Sequence, residues 1–222
     1  MKPKDTVRPV VGQVSEEKLK TDLERYRQRA LELGAAAAEI IPASYVSVDE
    51  RVRLKCFVPR CFRMGESPNC PPYTPPLEEV RRALGRYSWA VLLKVELKQL
   101  SDYVPKPGQS AGERRKSLSF HGKSSEVVSG IEGQAFRDGY HLAMGLGGGS
   151  CKDYLCQGQL CQFLDSGRCR FPLRARPAME AMGIDVFGLV GKMGWQVYPV
   201  TYADQDPDSI PCGISVGIVF IY

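Results

Sequence analysis

The chain has 222 residues, of which 43% are hydrophobic and 25% are charged, a composition typical of a globular domain with a substantial core. No stretch approaches the roughly 20 consecutive apolar residues of a membrane-spanning helix, so the composition argues against a membrane protein and against a wholly disordered chain. The net charge of +5 is too small to indicate by itself an acidic partner such as nucleic acid.

The amino-terminal segment and the cysteine content together indicate a cellular compartment. Residues Met1 to Asp5 are followed by neither the apolar segment nor the small-residue cleavage site of a secretion signal, so we expect a cytoplasmic protein. The cytosol keeps thiols reduced, and the eight cysteines are clustered along the chain. Both features favour metal binding over a disulfide framework.

The chain begins with a tail and a helix. Residues 1–14 combine basic residues and two prolines without a periodic pattern and predict a flexible tail. From Ser15, a good helix cap, apolar residues recur at helical spacing as far as Leu33, and Gly34 can end the helix. Residues 38–41 predict a short strand.

The next segments lead into and out of the first group of cysteines. Apolar and basic residues alternate from Arg51 to Cys56, which predicts a strand with Cys56 on its buried face. Five prolines in residues 61–76 predict a rigid loop that suits metal ligands. Residues 77–87 predict a helix, and the apolar run 89–97 predicts a central strand.

The carboxy-terminal half contains the second group of cysteines. Residues 98–125 are polar and rich in Gly, Ser and Pro, and they predict a mobile surface loop. Further helices and strands are predicted from periodicity: helices at 125–144, 178–182 and 186–193, and strands at 195–202 and 214–221. We therefore predict one α+β domain over residues 15–222, with a mixed β-sheet flanked by helices and cysteine-rich metal-binding loops at the sheet margin.

Four cysteines in the second group supply a complete ligand set within nineteen residues: Cys151, Cys156, Cys161 and Cys169. Four thiolates complete a tetrahedral zinc site or an iron-sulfur cube. The chain has no Cys-x2-Cys pair and only two histidines, which favours an iron-sulfur cluster, with [4Fe-4S] as the expected type and zinc as the alternative.

The first group supplies three thiolates, Cys56, Cys61 and Cys70. Three ligands on a cubic cluster leave one iron open to substrate, to water or to a more distant ligand. Cys212 or an acidic or histidine side chain brought close by folding could complete this site. Cys212 could equally be a buried core thiol.

Other residues near the cysteines could support a cluster. The backbone N–H groups of Gly148 and Gly149 could point at cluster sulfides, or these glycines could relieve crowding next to the metal. Arg170 and Arg176 could donate to the cluster, although solvated basic surface explains them as well. Glu180 could be a ligand or a proton donor, or simply a charge in a first helical turn. The basic triplet at 114–116 lacks interleaved aromatic residues, so nucleic-acid binding is not expected.

Several motifs resemble a prokaryotic family of predicted metal-binding proteins, a domain of unknown function. The resemblance is carried, in order, by residues 55–61, Asn69-Cys70-Pro71-Pro72, residues 147–151, Cys169-Arg170-Phe171-Pro172 and, most specifically, residues 176–186. It covers about residues 16–200. The resemblance implies a cysteine-bound metal, in the form of one or two iron-sulfur clusters, in proteins of anaerobic bacteria and archaea, and it implies no substrate.

These observations support three hypotheses of function. The first is a small reductase or sulfur-handling enzyme, in which the Cys151 group is a structural or electron-relay cluster and the Cys56 group is the reactive one. The second is a non-catalytic electron carrier or metallochaperone that docks on a redox partner protein. The third is a zinc-stabilised adaptor. The sequence identifies no small-molecule substrate for any of them.

Overall fold

The computed structural model describes residues 7–10, 12–97, 110, 119–198 and 209–222. The first helix, α1, spans Glu16–Glu32 and begins as predicted, because the Ser15 hydroxyl accepts a hydrogen bond from Lys18 N at 3.3 Å. Gly34 follows the helix with φ of 104°, a conformation that favours glycine. Residues 1–6 and 11 of the predicted tail lie outside the described residues.

A four-stranded sheet forms the centre of the molecule. Its strands are β1 (Ala37–Pro42), β2 (Trp89–Leu97), β3 (Met144–Leu146) and β4 (Gly213–Phe220), in the order β1-β2-β4-β3. The predicted central strand is confirmed as β2, and the α+β class is confirmed. The prediction of a mixed sheet is wrong for the described strands, since every pair is antiparallel.

Helices cover both faces of the sheet. On one face α1 packs with α4 (His121–Arg137), and on the other α3 (Leu77–Leu84) packs with α7 (Val186–Lys192). Neighbouring side chains of a strand point to opposite faces, so the buried Leu92 belongs to the second core and the buried Leu93 to the first. The sheet therefore separates two hydrophobic cores, a first core beside α1 and α4 and a second core beside α3 and α7. Neither core contains a cysteine.

The segment before the first cysteine group is a helix and not the predicted strand. Helix α2 spans Glu50–Leu54, and the Asp49 carboxylate caps it by accepting a hydrogen bond from Arg51 N at 2.8 Å. An alternation over so few residues fits a single helical turn as well as a strand, and here the cap decides between them. Cys56 consequently lies in the turn after α2, half-buried.

Two boundaries in the second half also differ from prediction. Helix α4 begins at His121 and ends at Arg137, because Gly139 with φ of 96° turns the chain away before β3. Residues 195–198 form no strand, and the remainder of that predicted strand lies outside the described residues, as does most of the predicted loop 98–125. Among the described helices, none has the length and apolar character needed to cross a bilayer.

The remaining elements are short and flank the cysteine loops. They are the 3-10 turns Ala43–Tyr45 and Glu180–Met182 and the helices α5 (Cys151–Tyr154) and α6 (Gln162–Ser166). The turn Glu180–Met182 and α7 confirm the helical predictions at 178–182 and 186–193 in type, with shorter spans.

Candidate metal centre

A glycine-rich segment, residues 147–149, leads from β3 to Cys151. Cys151 lies where the first cysteine loop, residues 55–76, contacts the second, residues 150–171. Gly147 pairs with Ala178 in a parallel bridge, in which Gly147 N donates to Pro177 O at 3.0 Å and Met179 N donates to Gly147 O at 2.9 Å. Ser150 then caps α5, with its hydroxyl accepting from Lys152 N at 3.4 Å. Cys151 is thereby fixed as the first residue of this helix and is buried.

The two groups of cysteines, which are separated by about 80 residues of sequence, meet at Cys151. Asn69 Nδ2 donates a hydrogen bond to Cys151 Sγ at 3.4 Å, and Cys70 Sγ lies 3.6 Å from Ser150 Oγ. Residues of the first loop therefore contact both Cys151 and the residue before it. The folded chain does not keep the two predicted groups apart.

The charges of Cys61 and Cys70 act on Cys56 within the first loop. Cys61 N donates to Cys56 O at 3.0 Å, so that a short turn brings these two residues together. Burial raises the pKa of the Cys56 thiol, and the neighbouring charges of Cys61, Cys70 and Glu180 raise it further. Mutual repulsion of this kind is what a bound cation would relieve.

Cys151 is electrostatically linked to both loops. Burial raises the pKa of its thiol to about 11, the hydrogen bond from Asn69 opposes that rise, and the charges of Cys70 and Cys156 add to it. Cys151 therefore interacts with Cys70 of the first group and with Cys156 of its own group. This position, between Cys70 and Cys156, is the main feature that the sequence pattern did not reveal.

The last two cysteines of the second loop lie in its outer part and are half-buried. Cys161 precedes α6 directly, and Phe171 N donates to Cys169 Sγ at 3.3 Å. Arg170 Nη1 donates to Leu160 O at 2.8 Å. This hydrogen bond joins the residue before Cys161 to the residue after Cys169. Backbone N–H groups directed at sulfur stabilise the charge of a thiolate or of a cluster.

Two ion pairs join the loops across the centre. Arg63 of the first loop pairs with Asp153, and Glu66 pairs with Lys152. The side chains of Asp153 and Lys152 are 4% and 7% exposed, so both pairs are largely shielded from solvent on the α5 side. Burial raises the pKa of Asp153, and the Arg63 guanidinium opposes that rise. Removing one partner of such a pair is expected to leave a buried charge uncompensated.

The donor set fits a thiophilic metal by its chemistry and by its surroundings. Three buried polar atoms of the first loop, Arg63 Nε, Ser67 Oγ and Thr74 Oγ1, have no hydrogen-bond partner within the described residues, which is expected where a bound polar group would pair with them. Over the described ranges, however, no set of three or more His, Cys, Asp or Glu side chains is already arranged around one point as metal ligands.

The other predicted site residues have identifiable partners. A Cβ atom on Gly148 would lie 2.8 Å from His121 Nδ1, and one on Gly149 would lie 2.5 Å from His121 Cδ2, so both glycines make room for this imidazole. Arg176 pairs with Glu132 at 2.6 Å and donates to Pro172 O at 3.1 Å. Contacts from Arg170, Arg176 and the two glycines to a cluster remain predictions.

Cys212 directly precedes β4, whose first residue pairs with Leu97 at one end of the sheet, and its part in a metal site also stays a prediction. His121 was not identified from the sequence as a site residue. The signal that could have found it is the pair Gly148 and Gly149, whose missing side chains leave space for one large neighbour.

A family model described as Predicted metal-binding protein (DUF2284) matches residues 39–213. The matched segment covers most of the chain and includes all eight cysteines. Neither the comparison with curated proteins nor the comparison with solved structures gave a match.

Proposed function

The chain belongs to this family of predicted metal-binding proteins, and on that premise we propose that it is an iron-sulfur protein with a redox or sulfur-handling role. The thiols of its two loops would hold one or two [4Fe-4S] clusters. The observation that carries the proposal is the position of Cys151, buried with its sulfur accepting from Asn69 and with Cys70 and Cys156 close enough to shift its pKa.

The described side chains favour a site made of sulfur ligands alone. Of the two histidines, His121 is held by Ser215, whose Oγ lies 2.8 Å from Nδ1, and His141 is exposed on the surface. Seven thiols remain in the two loops. Soft thiolate donors at irregular spacings suit iron-sulfur clusters better than a zinc ribbon.

The chain's own groups would tune such a centre. Bound clusters would supply one-electron chemistry and, at an iron without a protein ligand, a site for substrate. The N–H groups of Asn69 and Phe171 donate to Cys151 and Cys169 and would stabilise the reduced, more negative form. Cys56 and Cys61 are half-buried, which leaves the first loop accessible from solvent.

Metal and sulfide analysis of protein purified without oxygen tests the proposal, together with ultraviolet-visible and electron paramagnetic resonance spectra. Two cubes give about eight iron and eight sulfide per chain, and one gives about four of each. A brown protein whose spectrum bleaches on reduction is the expected result. Stoichiometric zinc without colour would overturn the proposal and would support the adaptor hypothesis.

A second candidate, an electron carrier, is favoured by the surface of the same loops. Leu160 and Leu173 are 82% and 81% exposed, and Val58 and Phe62 are exposed beside the first group of cysteines. Arg60 and Arg170, which are neighbours of these residues in the sequence, are exposed as well. A redox partner with an acidic and partly apolar surface would match this combination.

For a carrier, electron exchange with the anion ferricyanide should slow as salt is added, because screening weakens the attraction to this basic surface.

A further inference from the structure

A cavity of about 160 Å³ lies on the side of the sheet that faces α7. Its walls are mostly apolar and include Val186, Phe187 and Ile214, and the only ionisable side chains among its lining residues are His121 and Glu180. A cavity of this volume holds a molecule about the size of benzene. An apolar pocket with few converging polar groups is the usual form of a small-molecule site.

Hydrogen bonding determines which nitrogen of His121 carries the proton. Ser124 Oγ donates to His121 O at 2.9 Å, so its single proton is used there. The contact of 2.7 Å between the two serine hydroxyls then has Ser215 as its donor. Ser215 Oγ, at 2.8 Å from His121 Nδ1, is left to accept from Nδ1–H. The Nε2 atom is consequently unprotonated, and it is a hydrogen-bond acceptor.

The second polar group, Glu180, stands between the cavity and the cysteines. It begins the turn Glu180–Met182, which packs against α2 just before Cys56. Burial raises the pKa of its carboxyl group, which favours the protonated form that can donate a hydrogen bond. The cavity thus presents one acceptor and one group that donates when protonated, in walls that disfavour charge.

We propose that this cavity is a binding site for a small uncharged molecule with a hydroxyl group, of the size of phenol, whose hydroxyl donates to His121 Nε2. A hydroxyl group is both donor and acceptor, so it pairs with Nε2 and its oxygen can also accept from the Glu180 carboxyl when that group is protonated. A hydrocarbon of the same size would leave them unpaired, and a carboxylate would bring a charge next to Glu180. The site depends on no bound metal, so it stands apart from the proposed iron-sulfur function.

Calorimetric titration of the full-length chain tests the site, with phenol as the probe and with toluene, benzoate and benzylamine as comparisons of similar size. One satisfied hydrogen bond to a buried group is expected to make phenol bind at least about tenfold more tightly than toluene. Equal affinity for phenol and toluene, or tighter binding of either charged compound, would overturn the proposal.

Variants separate the role of His121 from general effects on folding. His121→Leu should lower phenol affinity about tenfold and leave toluene binding within about twofold, whereas His141→Leu, at the exposed histidine, should change neither. The imidazole ¹⁵N spectrum of the unaltered protein provides a readout that needs no variant. Since the chain has only two histidines, the His121 Nε2 resonance can be assigned, and it should shift as phenol is added. An unmoved resonance at saturating phenol would contradict the proposal.

Discussion

Cys151 is the residue on which the arrangement of the candidate centre depends. The sequence pattern places it with Cys156, Cys161 and Cys169, whereas the structure surrounds it with residues of both loops, Asn69 and Ser150 included. A cysteine in this position can serve as a ligand on either side. The division of the cysteines between the proposed clusters therefore depends first on which side Cys151 would bind.

We expect Cys151→Ala to lower iron and sulfide more than any other single cysteine substitution, because it removes the thiol that interacts with both Cys70 and Cys156. Cys70→Ala should lower only the share of iron and sulfide that is bound by the first loop. Cys212→Ala is the matched control and should keep full iron content. Iron and sulfide assays on the three variants, purified without oxygen, check this. Full content in Cys151→Ala would show that the ligand grouping is wrong, and a loss in Cys212→Ala would make Cys212 a ligand.

His121 should make stability depend on pH between about 6.5 and 4. Burial lowers its pKa from 6.5 to about 4. Between these two pH values the imidazole is therefore protonated in the unfolded chain and neutral in the folded chain. The free energy of unfolding should therefore fall as the pH decreases through this window, by about 3 kcal/mol for this group.

Urea unfolding at several pH values measures this effect as a difference between variants. A comparison is needed because the raised pKa of Glu180 makes the folded state more stable as the pH falls, which is opposite to the effect of His121. The stability of His121→Gln should change less between pH 6.5 and 4 than that of the unaltered protein. His141→Gln should behave like the unaltered protein. Parallel curves for the unaltered protein and His121→Gln would show that His121 is not held neutral.

At the scale of elements, the glycine-rich segment between β3 and α5 is fitted to the start of α4. Gly149 and Gly167 both have positive φ, 63° and 72°, but they differ in surroundings. A Cβ on Gly149 would overlap His121, whereas a Cβ on Gly167 would meet nothing within 4 Å. The two positions form a matched pair that separates backbone strain from crowding.

Gly149→Ala should cost more stability than Gly167→Ala. Both substitutions force alanine into the left-handed region, at about 1 kcal/mol, and only the first also displaces the half-buried imidazole of His121, which should add about 2 kcal/mol. Thermal or urea unfolding of both variants gives the difference. Equal losses would show that His121 can move aside freely and would weaken its assignment to the cavity.

Local pattern predicted the elements whose cause is local. The Ser15 cap, the apolar run of β2 and the prolines between Cys61 and Pro76 each determine structure through neighbouring residues, and their predictions agree with the structure. The strand predicted at 51–56 failed because a short alternation and a capped helical turn look alike. The approach of Cys151 to Asn69 could not be predicted, because it depends on contacts between loops about 80 residues apart.

At the scale of the whole molecule, a buried network ties α1 to the end of α4. Asp22, whose side chain is 3% exposed, accepts from Lys18 at 2.7 Å, from Arg25 at 2.5 Å and from Tyr140 at 2.9 Å. Tyr26 donates to Asp138 at 2.9 Å in the same network. The network contains no cysteine and lies among the residues of the first core, on the side of the sheet covered by α1 and α4, so it should stabilise the fold independently of metal.

Asp22→Asn should lower the free energy of unfolding by about 2 kcal/mol at pH 7. Burial alone would raise the Asp22 pKa, but the hydrogen bonds from Lys18 and Arg25 bring it down from 3.8 to about 2. The stabilisation is therefore full above about pH 4 and is lost as the pH falls towards 2. Urea unfolding at pH 7 and pH 3 should show the gap between variant and unaltered protein narrowing at the lower pH. A gap that is constant with pH would mean that the carboxylate charge is not the cause.

Removing the metal should loosen the cysteine loops and leave the sheet intact. Neither hydrophobic core includes a cysteine, and a domain of this length buries enough apolar surface to fold without a metal, unlike a zinc finger. In hydrogen exchange measured by mass spectrometry, amides of residues 55–76 and 150–171 should exchange at least about tenfold faster after chelation, because the loops are then joined by ion pairs such as those at Asp153 and Lys152 and by hydrogen bonds such as the one from Asn69, without the metal. Amides of β2 and β4 should keep their protection. Loss of protection in these two strands would show that the metal centre is part of the folding core.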